Sequence, residues 1–368
     1  MTDSPAALPA GPAAGLPDQI EAGHRPALAR AISIVENQSP GFRELLHALH
    51  PKVGRAQRIG MTGPPGAGKS TLVAALVATW RAHGETAAVI AVDPTSPFTG
   101  GALLGDRIRM NEIALDRGVF IRSMATRGSV GGLALTTDEV ADVLDAAGFD
   151  RILIETVGVG QTELDIAAAA DSTVVVLVPE SGDGIQAMKA GLMEVSDLFV
   201  INKSDRPGGD RMAREVSMTL HLRAGRAMRN VPAHHGVDLR LAAAKAEAKA
   251  PAPEATTSPE PEAWEIPVLQ TVAHEGKGIA ELADTLDRHF AWLAASGERS
   301  RRRRGRLTAR ARAETDRSLR RRVWQDLGGQ RILDQAGDAL ERGEQSPYEV
   351  AARIVDAVLD GSGRHAQG

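Results

Sequence analysis

Residues 58–71, RIGMTGPPGAGKST, set the fold. A short apolar run ends at Thr62, a turn rich in glycine and proline fits GxxxxGK[ST], and an apolar helical pattern follows from Thr71 to His83. Strand, glycine-rich turn and helix in that order build a phosphate cradle. The glycines let successive backbone N–H groups curl around phosphate oxygens, and the helix N-terminus adds its partial positive charge. In such a cradle Gly63, Pro64, Pro65, Gly66, Ala67, Gly68, Lys69, Ser70 and Thr71 surround the nucleotide. Lys69 reaches the β- and γ-phosphates, and the Ser70 hydroxyl binds Mg²⁺. The lysine is the more informative because the chain has only seven lysines against thirty-six arginines.

Further short apolar runs extend the pattern: Ala87 to Val92, Val119 to Arg122, Ile152 to Glu155, Thr173 to Val178, Leu198 to Asn202 and Val268 to Thr271. Most are separated by segments long enough for a crossover helix, such as Thr137 to Ala147. Strands that alternate with helices predict an α/β fold, a doubly wound, mainly parallel sheet of the P-loop NTPase kind. Residues 1–16 are rich in Ala, Pro and Gly and read as a disordered tail. Helical spacing of apolar residues from Asp18 to Val35 and again at Phe42, Leu45, Leu46 and Leu49 predicts an N-terminal helical extension over 17–54. The nucleotide domain takes 55–293, interrupted at 232–263 by an Ala/Glu/Lys run and PAPEATTSPEPE, a low-complexity surface insertion. Residues 294–368 are helical in pattern and too polar to form a domain alone.

At 368 residues the chain exceeds what one hydrophobic core usually fills, and 43% hydrophobic with 24% charged residues is the balance of a globular protein. Cysteine is absent, which excludes disulfides, thiolate metal sites and a cysteine nucleophile and fits a reducing cytoplasm. No apolar stretch approaches the length of a bilayer span, and the first residues lack the basic-then-apolar order of a signal peptide. The net charge of −4 conceals twelve arginines between Arg299 and Arg322, opposed only by Glu314 and Asp316. No aromatic residues are interleaved there, so the run reads as a solvated helix face or an acidic-protein contact rather than a nucleic-acid site. Trp292 and Trp324 read as packing residues of the C-terminal helices.

A second motif, Asn202-Lys203-Ser204-Asp205, closes a strand well downstream of the phosphate loop. The Asp205 carboxylate can accept from both N1–H and the 2-amino group of guanine, a pair that adenine does not present. Asn202 braces the neighbouring loops and the Lys203 stem covers the base. Thr271, Val272 and Ala273, followed by Gly276-Lys277-Gly278, stand where a third loop offers a backbone N–H, that of Ala273, to guanine O6. Between the two motifs lies Glu155-Thr156-Val157-Gly158, in the place of DxxG, with the Gly158 N–H on the γ-phosphate and the acid facing Mg²⁺. Glutamate replaces the usual aspartate there. Val159 follows where Ras-like proteins have a water-orienting glutamine, so intrinsic hydrolysis is expected to be slow. Asp93 and Asp106 are candidates to hold a metal-bound or attacking water. The catalytic set is therefore Lys69, Asp93, Glu155 and Gly158, and the Mg²⁺ set is Ser70, Asp93, Asp106 and Glu155.

Four stretches, VDPTSPFTGGALLGDRIRM from Val92, TRGSVGG from Thr126, LIETVGVGQTE from Leu153 and PESGDGIQAMKAG from Pro179, together with INKSD from Ile201, resemble the MeaB/ArgK family of GTPases. The resemblance spans about residue 20 to the end, apart from the insertion. It implies a homodimer, joined by the C-terminal helical arm, that binds GTP/GDP and Mg²⁺ and acts as a chaperone of an adenosylcobalamin-dependent acyl-CoA mutase, usually methylmalonyl-CoA mutase. It further implies that 93–106 and 155–163 are switches and that 180–189, with Gln186 and Lys189, relays the nucleotide state to the mutase. Two other readings stand beside it: a transport-linked kinase, the role after which ArgK was named, and a metal-delivery GTPase, for which His234-His235 is the only histidine pair in the sequence.

Overall fold

The computed structural model describes residues 13–94, 111–126, 132–156, 162–179, 192–223 and 263–364. The chain divides into two units, Met1–Ser300 and Arg301–Gly368.

In the first unit all seven apolar runs form strands: β1 Gln57–Thr62, β2 Ala87–Pro94, β3 Val119–Thr126, β4 Arg151–Thr156, β5 Ser172–Leu177, β6 Leu198–Asn202 and β7 Val268–Thr271. They pair in the order β3-β2-β4-β1-β5-β6-β7, every pair parallel. Burial on both faces explains why the strands read as continuous apolar runs. On one face Ile59, Met61, Val174 and Val176 pack against Leu72, Leu76 and Trp80 of the helix Lys69–Ala82 and Leu282, Leu286 and Phe290 of the helix Ile279–Ala295. On the other face Ile90, Ile152 and Ile154 meet Leu28, Ile32, Val35 and Leu45 of the N-terminal helices and Val140 and Leu144 of the helix Gly132–Ala146. Strand β1 lies mid-sheet, where crossovers leave towards opposite edges, and ligands of open α/β sheets sit at the carboxyl ends of strands at such a point.

The periodic stretch from Asp18 to Val35 is two helices rather than one, Leu16–Glu21 and Arg25–Glu36. Gly23 and Pro26 impose the break, since proline fits only the first turn of the second helix. That helix is fixed to the sheet edge by Arg25, whose guanidinium donates to the carbonyls of Arg117 (2.8 Å) and Val119 (2.5 Å). Glu36 adds an ion pair with Arg122.

Under the amino ends of the strands, Arg58 is buried against three carboxylates of the helix Gly132–Ala146: Asp142 at 2.6 Å, Asp138 at 2.8 Å and Asp145 at 3.2 Å. Burial alone would lower the guanidinium's pKa, but Asp142 and Asp138 hold it above its ordinary value. Asp145 also accepts the N–H groups of Gly54, Arg55 and Ala56, tying the segment before β1 to that helix. Arg58→Ala is expected to destabilise the fold by about 3–5 kcal/mol, because it strands buried carboxylates. Urea unfolding monitored by circular dichroism checks this; a loss below about 1 kcal/mol would show that water already satisfies the cluster.

In the second unit the helices Gly329–Glu341 and Pro347–Arg364 pack Ala336, Val350 and Ile354 together. A capping box starts the latter, with Ser346 N–H donating to Glu349 Oε2 at 2.7 Å and Glu349 N–H to Ser346 Oγ at 3.2 Å. The arginine run lies on the helix Glu298–Arg321, which buries no residue. Trp324 is exposed rather than packed, whereas Trp292 belongs to the first unit, stacked on the buried His289 ring. No described helix is long and apolar enough to cross a membrane.

Candidate nucleotide-binding site

The carboxyl ends of β1, β4, β6 and β7 bring the sequence motifs to one place. The loop after β1 turns at Gly68, whose φ of 85° belongs to the left-handed region. A Cβ there would lie 2.5 Å from Asn202 Nδ2, so glycine is required by both the turn and the close approach. The next residue, Lys69, opens the helix. Its ammonium is buried and donates to the carbonyls of Gly63 (2.8 Å) and Pro64 (3.0 Å), so it points back over the loop where phosphates would lie. Ala67 and Ser70 are buried, and Pro65, Gly66 and Thr71 are exposed at the mouth.

Strand register sets Met61 of β1 opposite Glu155 of β4. From there the Glu155 side chain reaches Ser70, whose hydroxyl donates to Glu155 Oε1 at 2.6 Å, both groups buried. The sequence predicts an acid facing the cradle; the extra methylene of glutamate lets it grip the helix's first-turn hydroxyl directly. Asp93 lies near the end of β2, whose Ala91 is in register with Glu155, so its backbone stands at the same rim. Its side chain, and Asp106, Gly158, Gln186 and Lys189, lie outside the described residues, as do His234 and His235.

The far end of the site is built around Asn202. Its Nδ2 donates to Ala67 O at 2.8 Å, and its Oδ1 accepts from Thr271 Oγ1 at 3.1 Å and from Ala273 N–H at 3.2 Å. One buried amide thus joins the phosphate loop to the turn after β7, a bracing role with hydrogen bonds satisfied on both sides. Lys203 adopts φ 55°, unusual for a side chain of its size, and its Nζ donates to Gly66 O at 2.8 Å. The lysine stem therefore spans from one motif to the other. Ser204 donates both its N–H (3.1 Å) and its hydroxyl (3.2 Å) to Thr271 O, which leaves Asp205 exposed at the end of the turn. The Ala273 N–H, the expected donor to guanine O6, stands at this junction and donates to Asn202 Oδ1. Lys277, in Gly276-Lys277-Gly278, pairs across an antiparallel bridge with Val272 and so closes the turn after β7.

A phosphate cradle, an acid on its first-turn hydroxyl and an NKxD tetrapeptide, all at the switch point of a parallel sheet, define a P-loop GTPase. The model of the Methylmalonyl Co-A mutase-associated GTPase MeaB family matches residues 28–327, and the chain belongs to that family. A putative GTPase of Pyrococcus abyssi is 46% identical over 290 residues, 79% of this chain and 80% of its own length. The mitochondrial methylmalonic aciduria type A homolog of Mus musculus is 35% identical over 290 residues, 75% of this chain and 62% of its own. The solved structure of a LAO/AO transport system kinase superposes with a TM-score of 0.63 at 26% identity, covering 96% of this chain and 99% of that one. The chain is accordingly a GTP-binding hydrolase.

Proposed function

We propose that this GTPase is a nucleotide-dependent chaperone that gates cofactor loading into, and protects or reactivates, an adenosylcobalamin-dependent acyl-CoA mutase of the methylmalonyl-CoA mutase type. The family description and the mouse relative support the mutase as partner. The observation that carries the nucleotide chemistry is the Asn202 amide, which links phosphate loop and base turn so that one ligand fills both.

A buried hydroxyl and carboxylate 2.6 Å apart are hard oxygen donors suited to Mg²⁺, so Ser70 and Glu155, with Asp93 and Asp106 as further members, would hold the ion. Bound there, Mg²⁺ supplies neutralisation of the charge on the β- and γ-phosphates. The chain's own part is positioning. Lys69 exchanges its loop carbonyls for phosphate oxygens, and the Gly158 N–H fixes the γ-phosphate. A water held near Asp93 attacks the γ-phosphorus in line while the bond to the β–γ bridging oxygen breaks, releasing GDP and phosphate. With Val159 in the place of glutamine this step is slow until a partner orders 93–106 and 155–163. In this reading Gln186 and Lys189 carry the signal to the mutase, and residues 294–368 join two copies of the chain in a homodimer.

Mixing the purified chain with methylmalonyl-CoA mutase is expected to give a complex on size exclusion and to raise GTP turnover by about tenfold or more, as partner-ordered switches do. Absence of a complex with GTP, GDP or a non-hydrolysable analogue would remove the mutase role while leaving the GTPase. Labelled γ-phosphate is expected as free phosphate; label retained on protein would favour the kinase reading instead.

A further inference from the structure

We propose that the arginine face of the helix Glu298–Arg321 is a docking surface for an acidic protein and, resting on the mutase reading above, that this protein is the mutase partner. An α-helix turns by about 100° per residue. Arg299, Arg303, Arg306, Arg310, Arg317 and Arg321 therefore stand in one line along it, with Arg302 and Arg320 beside them. Eight of the helix's eleven arginines fall within an arc of about 100° that contains no carboxylate, since Glu298, Glu314 and Asp316 lie on its flanks. At about 1.5 Å per residue the line runs for about 33 Å. Its first member is fixed: the Arg299 guanidinium donates to the carbonyls of Gly54 (3.2 Å) and Arg55 (3.3 Å), in the segment before β1. Towards the far end Glu314 stands 3.5 Å from Arg317, while Arg320 and Arg321 are exposed.

Solubility does not explain this phasing. A helix that buries no residue is kept soluble by charges on all sides, and it gains stability from opposite charges four residues apart. Here the pairs Arg299/Arg303, Arg302/Arg306, Arg306/Arg310 and Arg317/Arg321 set like charges at that spacing, which works against the helix. Carboxylates brought by a partner reverse the sign of that interaction. The guanidinium fork matches a carboxylate with two N–H groups to two oxygens, which favours an acidic protein face. A nucleic acid fits less well, because the helix has no aromatic side chain on which bases could stack. Taking the +10 of residues 299–322, twelve arginines and two acids, from the net charge of −4 also leaves the rest of the chain at −14, a field that repels an extended polyanion.

The test uses the full chain in two triple variants of equal charge. Arg317→Gln, Arg320→Gln and Arg321→Gln together remove the far end of the line; Arg301→Gln, Arg304→Gln and Arg312→Gln together remove arginines from the other faces. Glutamine is a good helix former, so circular dichroism and intrinsic GTP turnover should match wild type in both. Binding of methylmalonyl-CoA mutase, followed by surface plasmon resonance, is expected to weaken on the order of tenfold in the first triple and by less than about twofold in the second. Wild-type affinity should fall as salt is raised. An equal loss in both triples, or none in either, would overturn the proposal. So would a first triple that binds mutase normally but changes the chain's own oligomeric state, which gives the line to a second copy. A single-stranded oligonucleotide that binds wild type more tightly than poly-L-glutamate of the same charge would overturn it in favour of nucleic acid. Failure of the wild-type chain to bind mutase is a different failure, that of the mutase reading; the surface is then judged with poly-L-glutamate, whose binding should be lost in the first triple and kept in the second.

Discussion

Asp205→Asn is expected to cost the chain its preference for GTP over ATP by a factor on the order of a hundred or more, since a site built to pair a donor edge rejects it strongly once the acceptor is gone. The sign follows from the groups themselves. The carboxylate has two acceptor oxygens for two guanine donors; the amide keeps one acceptor and turns an NH₂ against the 2-amino group. The same NH₂ can donate to the 2-oxo group of xanthine, so xanthosine triphosphate should bind the variant better than it binds wild type. Competition of each nucleotide against a fluorescent GTP analogue measures all three affinities. Asp205 is exposed and Ser204, not Asp205, ties the turn to Thr271, so the variant should fold normally. An unchanged GTP to ATP ratio with no gain for xanthosine triphosphate would show that another group reads the base.

Lys69→Ala is expected to abolish tight GTP binding, with an affinity loss of at least about a hundredfold, because a buried cation aimed at phosphate oxygens acts in a water-poor cradle where charge-assisted bonds are strong. The carbonyls of Gly63 and Pro64 that the ammonium now touches are neutral, so phosphate oxygens outcompete them for its N–H groups. The guanidinium of arginine is broader and planar and should not restore binding, since it matches neither the space nor the point charge. Titration with the fluorescent analogue checks affinity, and thermal unfolding of the nucleotide-free protein should be little changed. Retention of wild-type affinity by Lys69→Ala would mean that the triphosphate lies elsewhere.

The parallel sheet is legible in the sequence because its strands are buried on both faces, which leaves an uninterrupted apolar signal. Thr173 to Val178 reads from composition alone as the strand found at Ser172–Leu177. The motifs are legible because phosphate and base recognition need fixed residue types at fixed local spacing. Groups whose meaning depends on residues far apart in sequence are not. Arg58 is an ordinary strand-flanking arginine until the fold brings Asp138, Asp142 and Asp145 around it. Asn202 reads as a brace, but its partners Ala67, Thr271 and Ala273 follow only from the sheet order. The helix break at Gly23 and Pro26 is hidden because apolar periodicity continues across it.

A density map of the chain bound to Mg²⁺ and a non-hydrolysable GTP analogue tests the central claim most directly. The account predicts the triphosphate wrapped by the backbone of Gly63 to Thr71, with the guanine edge on Asp205 and the Lys203 stem along its face. A nucleotide bound at any other place on the chain, or a purine turned away from Asp205, would contradict it.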